Sequence, residues 1–198
     1  VVLTVGGAVI FRITEDMPWI GALFNSVTAR TAGFSTYSLG EFSNAGLLAM
    51  IFLMFVGASP GSTGGGIKTS TLFALIQGIK TAATNTSGKA FHYSVPHGVF
   101  RKASVIAVMG ISVIAVGTFM LCAFEPDIAI RDALFEMTSA FGTVGLTTGI
   151  TTGLCTASKL TSIVMMYIGR LGPLTIATLW YFTNGDRIKY PDGNIAIG

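Results

Sequence analysis

The hexapeptide "TAGFST", residues 31–36, is followed 112 positions later by "TVGLTT" at residues 143–148. The same offset aligns "MFVG" at 54–57 with "MYIG" at 166–169, and no gap is needed between the two matched blocks. A repeated sequence indicates a fold built from copies of one structural unit. We therefore predict that the chain contains the same unit twice.

The composition is typical of an integral membrane protein. Of the 198 residues, 51% are hydrophobic and 11% are charged, and the mean hydropathy is +0.70. Soluble domains carry about 25% charged residues. Residues 103–124 hold 22 uncharged positions in a row, which as a helix would cross the ~30 Å hydrocarbon core of a bilayer. A core helix of a soluble protein would keep a polar face, and this segment has none.

Each copy of the repeat begins with a helix and a short second segment. The first helix ends near Phe11 or Phe124, and the short segments are Trp19 to Thr28 and Asp132 to Phe141. A helix of about ten residues measures about 15 Å, or half a bilayer. The short segment therefore has to enter the membrane and return on the same side, as the pore loop of a channel does.

The T-x-G turn and a second membrane helix complete each copy. The second helix starts at Asn44 or Lys159, and the alignment also places Glu15 on Asp127. We predict an all-α integral membrane fold of two tandem repeats, each a membrane helix, a pore loop and a membrane helix. The predicted parts are a first repeat at residues 1–80, a connector at 81–100, a second repeat at 101–183 and a tail at 184–198.

The charges predict which side of the membrane each connection occupies. Five basic residues and no acidic ones lie between Lys68 and Lys102. The positive-inside rule places this connector in the cytoplasm, together with the tail that carries Arg187 and Lys189. The first apolar stretch, up to Phe11, is too short to span a bilayer and has no initiator Met. We expect the chain to be part of a longer multi-pass protein of the cell membrane.

The T-x-G turns suit a binding site for a dehydrated cation. Backbone without helical hydrogen bonds survives at membrane depth only where protein buries it or water reaches it. Glycine admits the left-handed φ that turns successive carbonyl groups the same way, and rings of such carbonyls replace the hydration shell of K⁺. One T-x-G tripeptide would be an ordinary turn after a helix. Two copies, each between a half-length helix and a membrane helix, favour the ion site, although a ring needs about four loops.

Longer motifs around these turns resemble one transporter superfamily. "TARTAGFST", "FVGASPGSTGGGIKTST", "FGTVGLTTGIT" and "IGRLGPLT" are similar to the C-terminal half of Trk/Ktr/HKT potassium transporters, above all KtrB-type membrane subunits. The resemblance implies four channel-like repeats around one pore, of which these are the third and fourth. It also implies a K⁺ selectivity filter formed by backbone carbonyls of Thr31, Ala32, Gly33, Thr143, Val144 and Gly145.

The glycine-rich segment "GSTGGGIKTS", residues 61–70, interrupts an apolar helix. It fails as a phosphate-binding Walker A loop, because Ile67 separates the last glycine from Lys68 and no strand precedes it. A break from Gly57 to Gly66 at mid-membrane depth instead suggests a site or a gate. The resemblance implies an intramembrane loop that obstructs the pore. The predicted gating residues are Gly61, Ser62, Thr63, Gly64, Gly65, Gly66 and Lys68.

Arg170 is expected near the centre of the last membrane helix, where its charge cannot reach the membrane surface. It should therefore face the cavity or a partner group. A fixed positive charge there could hold the glycine-rich loop through its carbonyl groups or raise a barrier to cations. A purely structural hydrogen bond between helices is the alternative.

Potassium uptake, and no enzymatic activity, is the predicted function. The alternative is a secondary transporter that binds an anionic substrate at the broken helix; a third reading is a non-conducting scaffold subunit. The resemblance implies transported K⁺, possible Na⁺ coupling, a bacterial plasma membrane and a homodimer. It also implies a soluble KtrA-type ring that brings nucleotide control, with Lys89, His92, Arg101 and Lys102 near its contact. Membrane lipid is the other expected partner, and nucleic acid is not one.

Overall fold

Helices dominate the computed structural model, which describes residues 1–84, 89–90, 93–94, 97–172 and 175. In chain order the helices are α1 (Val2–Thr14), α2 (Trp19–Thr28), α3 (Asn44–Phe55), α4 (Thr69–Thr84), α5 (His97–Phe124), α6 (Ile130–Gly142) and α7 (Thr156–Leu171). Short 3₁₀ turns at Leu39–Glu41 and Thr151–Gly153 follow the two T-x-G turns.

The predicted helix bounds are confirmed for α2 and nearly so for α6, and they are wrong for α7. Helix α6 begins two residues before Asp132 and ends one residue after Phe141. Helix α7 begins three residues before Lys159, because Cys155 has the extended backbone of an N-cap. It ends at Leu171, where Gly172 adopts a φ of +87° that stops a helix.

One helix of the described residues is long and apolar enough to cross a membrane. It covers Gly98–Phe124, with a mean hydropathy of 2.5. Val2–Thr14 and Asn44–Phe55 are apolar but shorter. The predicted uncharged segment at 103–124 lies inside the long helix, which begins earlier and carries Arg101 and Lys102 in its first turns.

Two features depart from a purely helical chain. A hairpin pairs β1 (Lys89–Ala90) with β2 (Tyr93–Ser94) inside the predicted connector. Helices α4 and α5 extend into that connector from both sides. A parallel bridge also joins Val56 to Ile67 across the break between α3 and α4.

Several predicted features lie outside the described residues. They are the tail at 184–198, His92, most of the connector between α4 and α5, and all of the fourth repeat after Gly172 except Thr175.

The N-cap residues of α3 and of α7 each donate hydrogen bonds to an acidic side chain. Glu15 accepts hydrogen bonds from the Ser43 amide (3.1 Å) and hydroxyl (2.6 Å) at the N-cap of α3. Glu125 accepts one from the amide of Cys155, the N-cap of α7 (2.6 Å). The alignment of Glu15 with Asp127 is therefore wrong, because the turn after α5 shifts the functional equivalent by two residues to Glu125.

The largest core cluster joins the two copies of the repeat. Leu47, Met50 and Met54 of α3 are buried together with Phe135 of α6. Beside them, the rings of Phe55 and Phe141 stack at 6.2 Å with an interplanar angle of 25°. Helix α6 thus packs on α3, and this contact brings the two T-x-G turns to the same place.

Candidate functional site

The two T-x-G turns share an unusual backbone conformation. Thr31 and Gly33 have φ angles of +75° and +78°, and Thr143 and Gly145 have φ angles of +51° and +92°. A left-handed conformation costs a residue with a Cβ roughly 1–2 kcal/mol. A strained threonine and a left-handed glycine at the same two positions of both copies mark these turns as a candidate functional site.

Backbone amides of these turns donate hydrogen bonds to carbonyl groups of the preceding short helices. The amides of Ala32 and Gly33 both donate to the Thr28 carbonyl at 3.2 Å, and the Val144 amide donates to the Ser139 carbonyl at 3.0 Å. Among the hydrogen bonds of the described residues, none ends on the carbonyl oxygens of the two T-x-G turns. These oxygens are therefore available to a cation. They belong to Thr31, Ala32, Gly33, Thr143, Val144 and Gly145.

The two turns touch each other. A Cβ built on Gly33 would collide with the carbonyl oxygen of Val144, so no larger residue fits at position 33. A Cβ built on Gly145 meets no atom within 4 Å. The first turn is thus covered by the second, while the second has an open side.

The loop at residues 57–66, here called the glycine loop, lies against the start of both turns. The Gly65 amide donates to the Thr143 hydroxyl at 3.0 Å. A Cβ built on Gly64 would lie 2.8 Å from the Thr31 hydroxyl, and one on Gly65 would lie 2.8 Å from the Gly142 carbonyl oxygen. Consecutive glycines are needed here because the backbone passes too close to the turns for any side chain.

Two basic side chains hold the glycine loop by its carbonyl groups. Arg30 donates to the Gly57 carbonyl at 3.1 Å. Lys68 donates to the carbonyls of Ser62 (3.3 Å) and Gly64. The tip of the loop, Gly61–Thr63, is exposed, while Gly65 is buried. The predicted gating residues therefore form one continuous loop beneath the T-x-G turns.

Arg170 does not occupy the predicted place. It lies in the last turn of α7 and not at the centre of a continuous helix, because α7 ends at Leu171. It lines a cavity of about 580 Å³. Within the described residues it makes no hydrogen bond or ion pair with the glycine loop, and Arg30 and Lys68 do so instead.

The cavity occupies the open side of the second T-x-G turn. Gly145 and Glu136 line it from the turn and from α6, and Ser162, Met166 and Tyr167 line it from α7. The repeat offset matches these α7 positions to Met50, Met54 and Phe55 of α3. Met50 and Met54 are 0% exposed under α6, whereas Met166 and Tyr167 are 46% and 68% exposed. The same flank is covered in one copy and open in the other.

Arg30 and Glu136 were not identified from the sequence. Arg30 lies within the motif "TARTAGFST" but outside its T-x-G turn, and Glu136 lies in the predicted short segment at 132–141, outside the motifs. Both residues are ionisable and lie inside or beside a segment that is predicted to enter the bilayer. An ionisable residue at such a place indicates a functional site, and this signal could have identified them. Arg101 and Lys102, predicted near a regulator, are exposed at the start of α5, and Lys89 lies in β1.

Known proteins match this chain along nearly its whole length. The model of the family "TrkH: Cation transport protein" matches residues 1–187. Ktr system potassium uptake protein B is 35% identical over 184 residues in Bacillus subtilis and 37% identical over 187 residues in Vibrio alginolyticus. These matches cover 92% and 94% of this chain and 41% of each relative.

A third relative and a solved structure agree. Potassium/sodium uptake protein NtpJ of Enterococcus hirae is 35% identical over 214 residues, covering 99% of this chain and 48% of that protein. The crystal structure of the potassium transporter TrkH from Vibrio parahaemolyticus matches with a TM-score of 0.72 at 21% identity, over 91% of this chain and 42% of that one. This chain spans less than half the length of each of these proteins.

Proposed function

This chain belongs to the TrkH family of cation transport proteins, and we propose that it forms two of the four repeats of a potassium uptake pore. The observation that carries the proposal is the pair of touching T-x-G turns, whose carbonyl oxygens accept no hydrogen bond from the residues that the structure describes. Carbonyl oxygens arranged in this way replace the hydration shell of K⁺. The names of the relatives, which refer to potassium or cation uptake, support the same reading.

Two further repeats complete the filter in this proposal. The open flank of α7 corresponds to the flank of α3 on which α6 packs. It is therefore shaped for another short helix that carries a third such turn. The first and second repeats, which would precede these two in the chain, would close the ring of four. The short helices α2 and α6 then enter the membrane from outside and present the negative ends of their dipoles to the cation.

The glycine loop is the gate of this pore. It lies directly below the inner end of the filter, where the Gly65 amide binds the Thr143 hydroxyl and an ion leaving the filter would have to pass. Arg30 and Lys68 stabilise the obstructing position by binding its carbonyls. Glycines offer little steric resistance to rearrangement, which suits a moving element.

Arg170 places a fixed positive charge on the wall of the cavity beside the filter. Its guanidinium raises the energy of a nearby cation, so it acts as an electrostatic barrier that restrains flux. Helix α7 ends at the next residue, Leu171, so the backbone conformation of Gly172 determines where this charge lies.

Control by a partner is the remaining part of the proposal. The connector between α4 and α5 carries Lys89 and His92, and Arg101 and Lys102 follow at the start of α5, so this stretch of sequence is basic. A KtrA-type nucleotide-binding ring docked there would supply the bias that a mid-membrane gate needs, since an equilibrium moves only through differential binding to its two states. The complete protein is a homodimer in the bacterial plasma membrane. Sodium coupling is suggested by the name of the NtpJ relative.

The broken-helix transporter of an anionic substrate is not favoured. An anion site would need free amides or cations at the break. Here the Gly65 amide and the charged groups of Arg30 and Lys68 are already bound to protein oxygens.

The test is growth and ion uptake in bacterial cells that lack their own potassium uptake systems. Cells that produce the full-length protein should grow at limiting potassium and accumulate K⁺, and cells that produce it with Gly33→Arg should not. Equal growth of the two strains at equal protein levels in the membrane would contradict the proposal.

A further inference from the structure

Glu136 is a buried carboxylate that the filter and the gate do not explain. It lies in α6, two helical turns before Thr143, and is 8% exposed. A buried charge is costly unless it is paired or well hydrogen-bonded. The ion pairs within the described residues do not include Glu136. Hydrogen-bond donors must therefore hold it.

All the donors to this carboxylate come from the loop that follows the second T-x-G turn. The Thr147 hydroxyl donates to Oε1, and the Thr151 hydroxyl lies 3.1 Å from each carboxylate oxygen. The Thr147 oxygen in turn accepts from the Gly149 amide at 2.9 Å, and the Thr151 oxygen lies 2.7 Å from it. Glu136 is thus the centre of one network over residues 147–151.

This network holds a segment that has little else to fix it. Thr147, Gly149 and Thr151 are exposed, and Gly149 has a φ of +104°. Helix α6 is buried along most of its length and is therefore a rigid support. Charge-assisted hydrogen bonds from a rigid element orient a functional backbone more firmly than neutral ones. Thr147 is only two residues beyond Gly145, so fixing it also fixes the direction of the carbonyls before it.

The third repeat holds its own turn by different groups. The residue aligned with Glu136 is Phe24, which has no acceptor. There the Thr28 hydroxyl donates to the Phe34 carbonyl at 2.5 Å, and the Ser35 hydroxyl donates to the Tyr37 carbonyl at 2.6 Å. In the third repeat, the neutral hydrogen bond from Thr28 of α2 thus connects the turn to its short helix. In the fourth repeat, the Glu136 carboxylate makes this connection.

We infer that Glu136 is a positioning residue for ion selectivity, which sets the geometry of the second T-x-G turn through Thr147 and Thr151. The inference deepens the proposed function and rests on it for the meaning of the turn, although the bracing itself can be measured without any ion flux.

The first experiment measures the brace directly. Amide hydrogen exchange is followed by mass spectrometry in the purified full-length protein and in Glu136→Gln, which replaces one acceptor oxygen by a donor. Peptides covering residues 146–153 should exchange about tenfold faster in the variant, as expected where a local opening becomes easier. The matched control is Asp132→Asn, which removes the same charge one turn earlier in α6 and should leave these peptides unchanged. Unchanged exchange in Glu136→Gln would overturn the inference.

The second experiment measures selectivity. The ratio of K⁺ to Na⁺ uptake should fall about three- to tenfold in Glu136→Gln, because the carbonyl ring it supports loses its fixed geometry. Thr147→Val should reproduce most of this fall, since the hydroxyl is exposed and its loss leaves the core intact. Adding Thr147→Val to Glu136→Gln should then lower the ratio little further, because both act through one network. Full, independent effects in the double variant would contradict the brace.

The two experiments separate the brace from the proposed function. Faster exchange in Glu136→Gln, together with no potassium uptake by the unaltered protein, would retain the brace and reject the pore. Faster exchange with an unchanged selectivity ratio would overturn the assignment of Glu136 to selectivity. If Glu136→Gln fails to fold, Thr147→Val and Thr151→Val carry both readouts, and unchanged exchange and selectivity in these variants would contradict the inference.

Discussion

The two copies of the repeat have nearly the same T-x-G turn but very different surroundings. Positive φ angles recur at Thr31 and Thr143 and at Gly33 and Gly145. In the first copy, the second T-x-G turn covers the turn and α6 covers the flank of α3; in the second copy, the turn opens to a cavity of about 580 Å³. The difference indicates that the turn's conformation is local, set by its own sequence and short helix, whereas its enclosure comes from the next repeat.

The largest expected effect comes from the paired glycines. Gly33→Ala adds a Cβ to a residue with a left-handed φ and also brings this Cβ against the Val144 carbonyl oxygen. Gly145→Ala adds a Cβ to a residue with a left-handed φ, but no atom lies within 4 Å of it. If another repeat covers Gly145 in the full-length protein, both variants should lower K⁺ over Na⁺ selectivity by about tenfold or more, the equivalent of ~1.4 kcal/mol. Competition between the two ions during uptake measures this. If Gly33→Ala lowers the selectivity strongly and Gly145→Ala leaves it unchanged, no further repeat covers the second T-x-G turn in the full-length protein.

A shortened gate should give the next largest effect. Deleting Gly61–Thr63, the exposed tip of the glycine loop, should raise K⁺ flux on the order of fivefold, the change that about 1 kcal/mol makes in a population ratio. The matched control is Ser62→Ala with Thr63→Ala, which keeps the length of the loop and should leave flux near the unaltered rate. Flux that falls in the deletion variant, with the protein still folded, would indicate a structural loop.

Arg30 offers a test of how the third repeat holds the gate. Its aligned residue in the fourth repeat is Gly142, which has no side chain to do so. Arg30→Gln removes the charged donor to the Gly57 carbonyl and should raise flux about two- to fivefold, in keeping with the net contribution of about 0.5–1 kcal/mol of one hydrogen bond. Arg131→Gln is the control, because Arg131 is exposed and binds only Asn44 and Asp132 outside the site. Equal flux in the two variants would remove Arg30 from the gate.

The smallest effect concerns the start of α7. The Cys155 amide, helped by the nearby side chains of Cys155, Ser158 and Lys159, lowers the pKa of Glu125 from its usual 4.5. A carboxyl whose folded pKa is depressed stabilises the fold above its unfolded pKa and loses this contribution as the pH falls through the lowered value. Glu125→Gln should therefore melt slightly below the unaltered protein at pH 7, and the two melting temperatures should converge well below pH 4.5. A gap that persists unchanged in acid would assign the effect to packing.

Much of the fold could be predicted because the repeat and the lengths of its segments are local properties. The bounds of α2 and the break after α3 follow from apolar lengths and from glycine, and the T-x-G turns stand where the motif placed them. The end of α7 could not be read, since a glycine after an apolar run can lie inside a membrane helix or stop it. The left-handed φ of Gly172 ends the helix, and this φ cannot be read from the sequence.

The candidate site was predictable as far as its backbone positions, and less so in its side-chain contacts. The motif located the carbonyls and the glycine loop. It could not show that Arg30 reaches the Gly57 carbonyl, because 27 residues separate the two. The shift from Asp127 to Glu125 has the same origin, since a capping carboxylate is chosen by distance and not by alignment.

The most direct test is the competition of K⁺ and Na⁺ for flux through the purified full-length protein in liposomes. If the two T-x-G turns line one path for K⁺, K⁺ flux should exceed Na⁺ flux about tenfold or more in the unaltered protein. The ratio should be near one when either Gly33 or Gly145 is replaced by Ser. The absence of K⁺ flux in the unaltered protein, or an unchanged ratio in both variants, would contradict the claim.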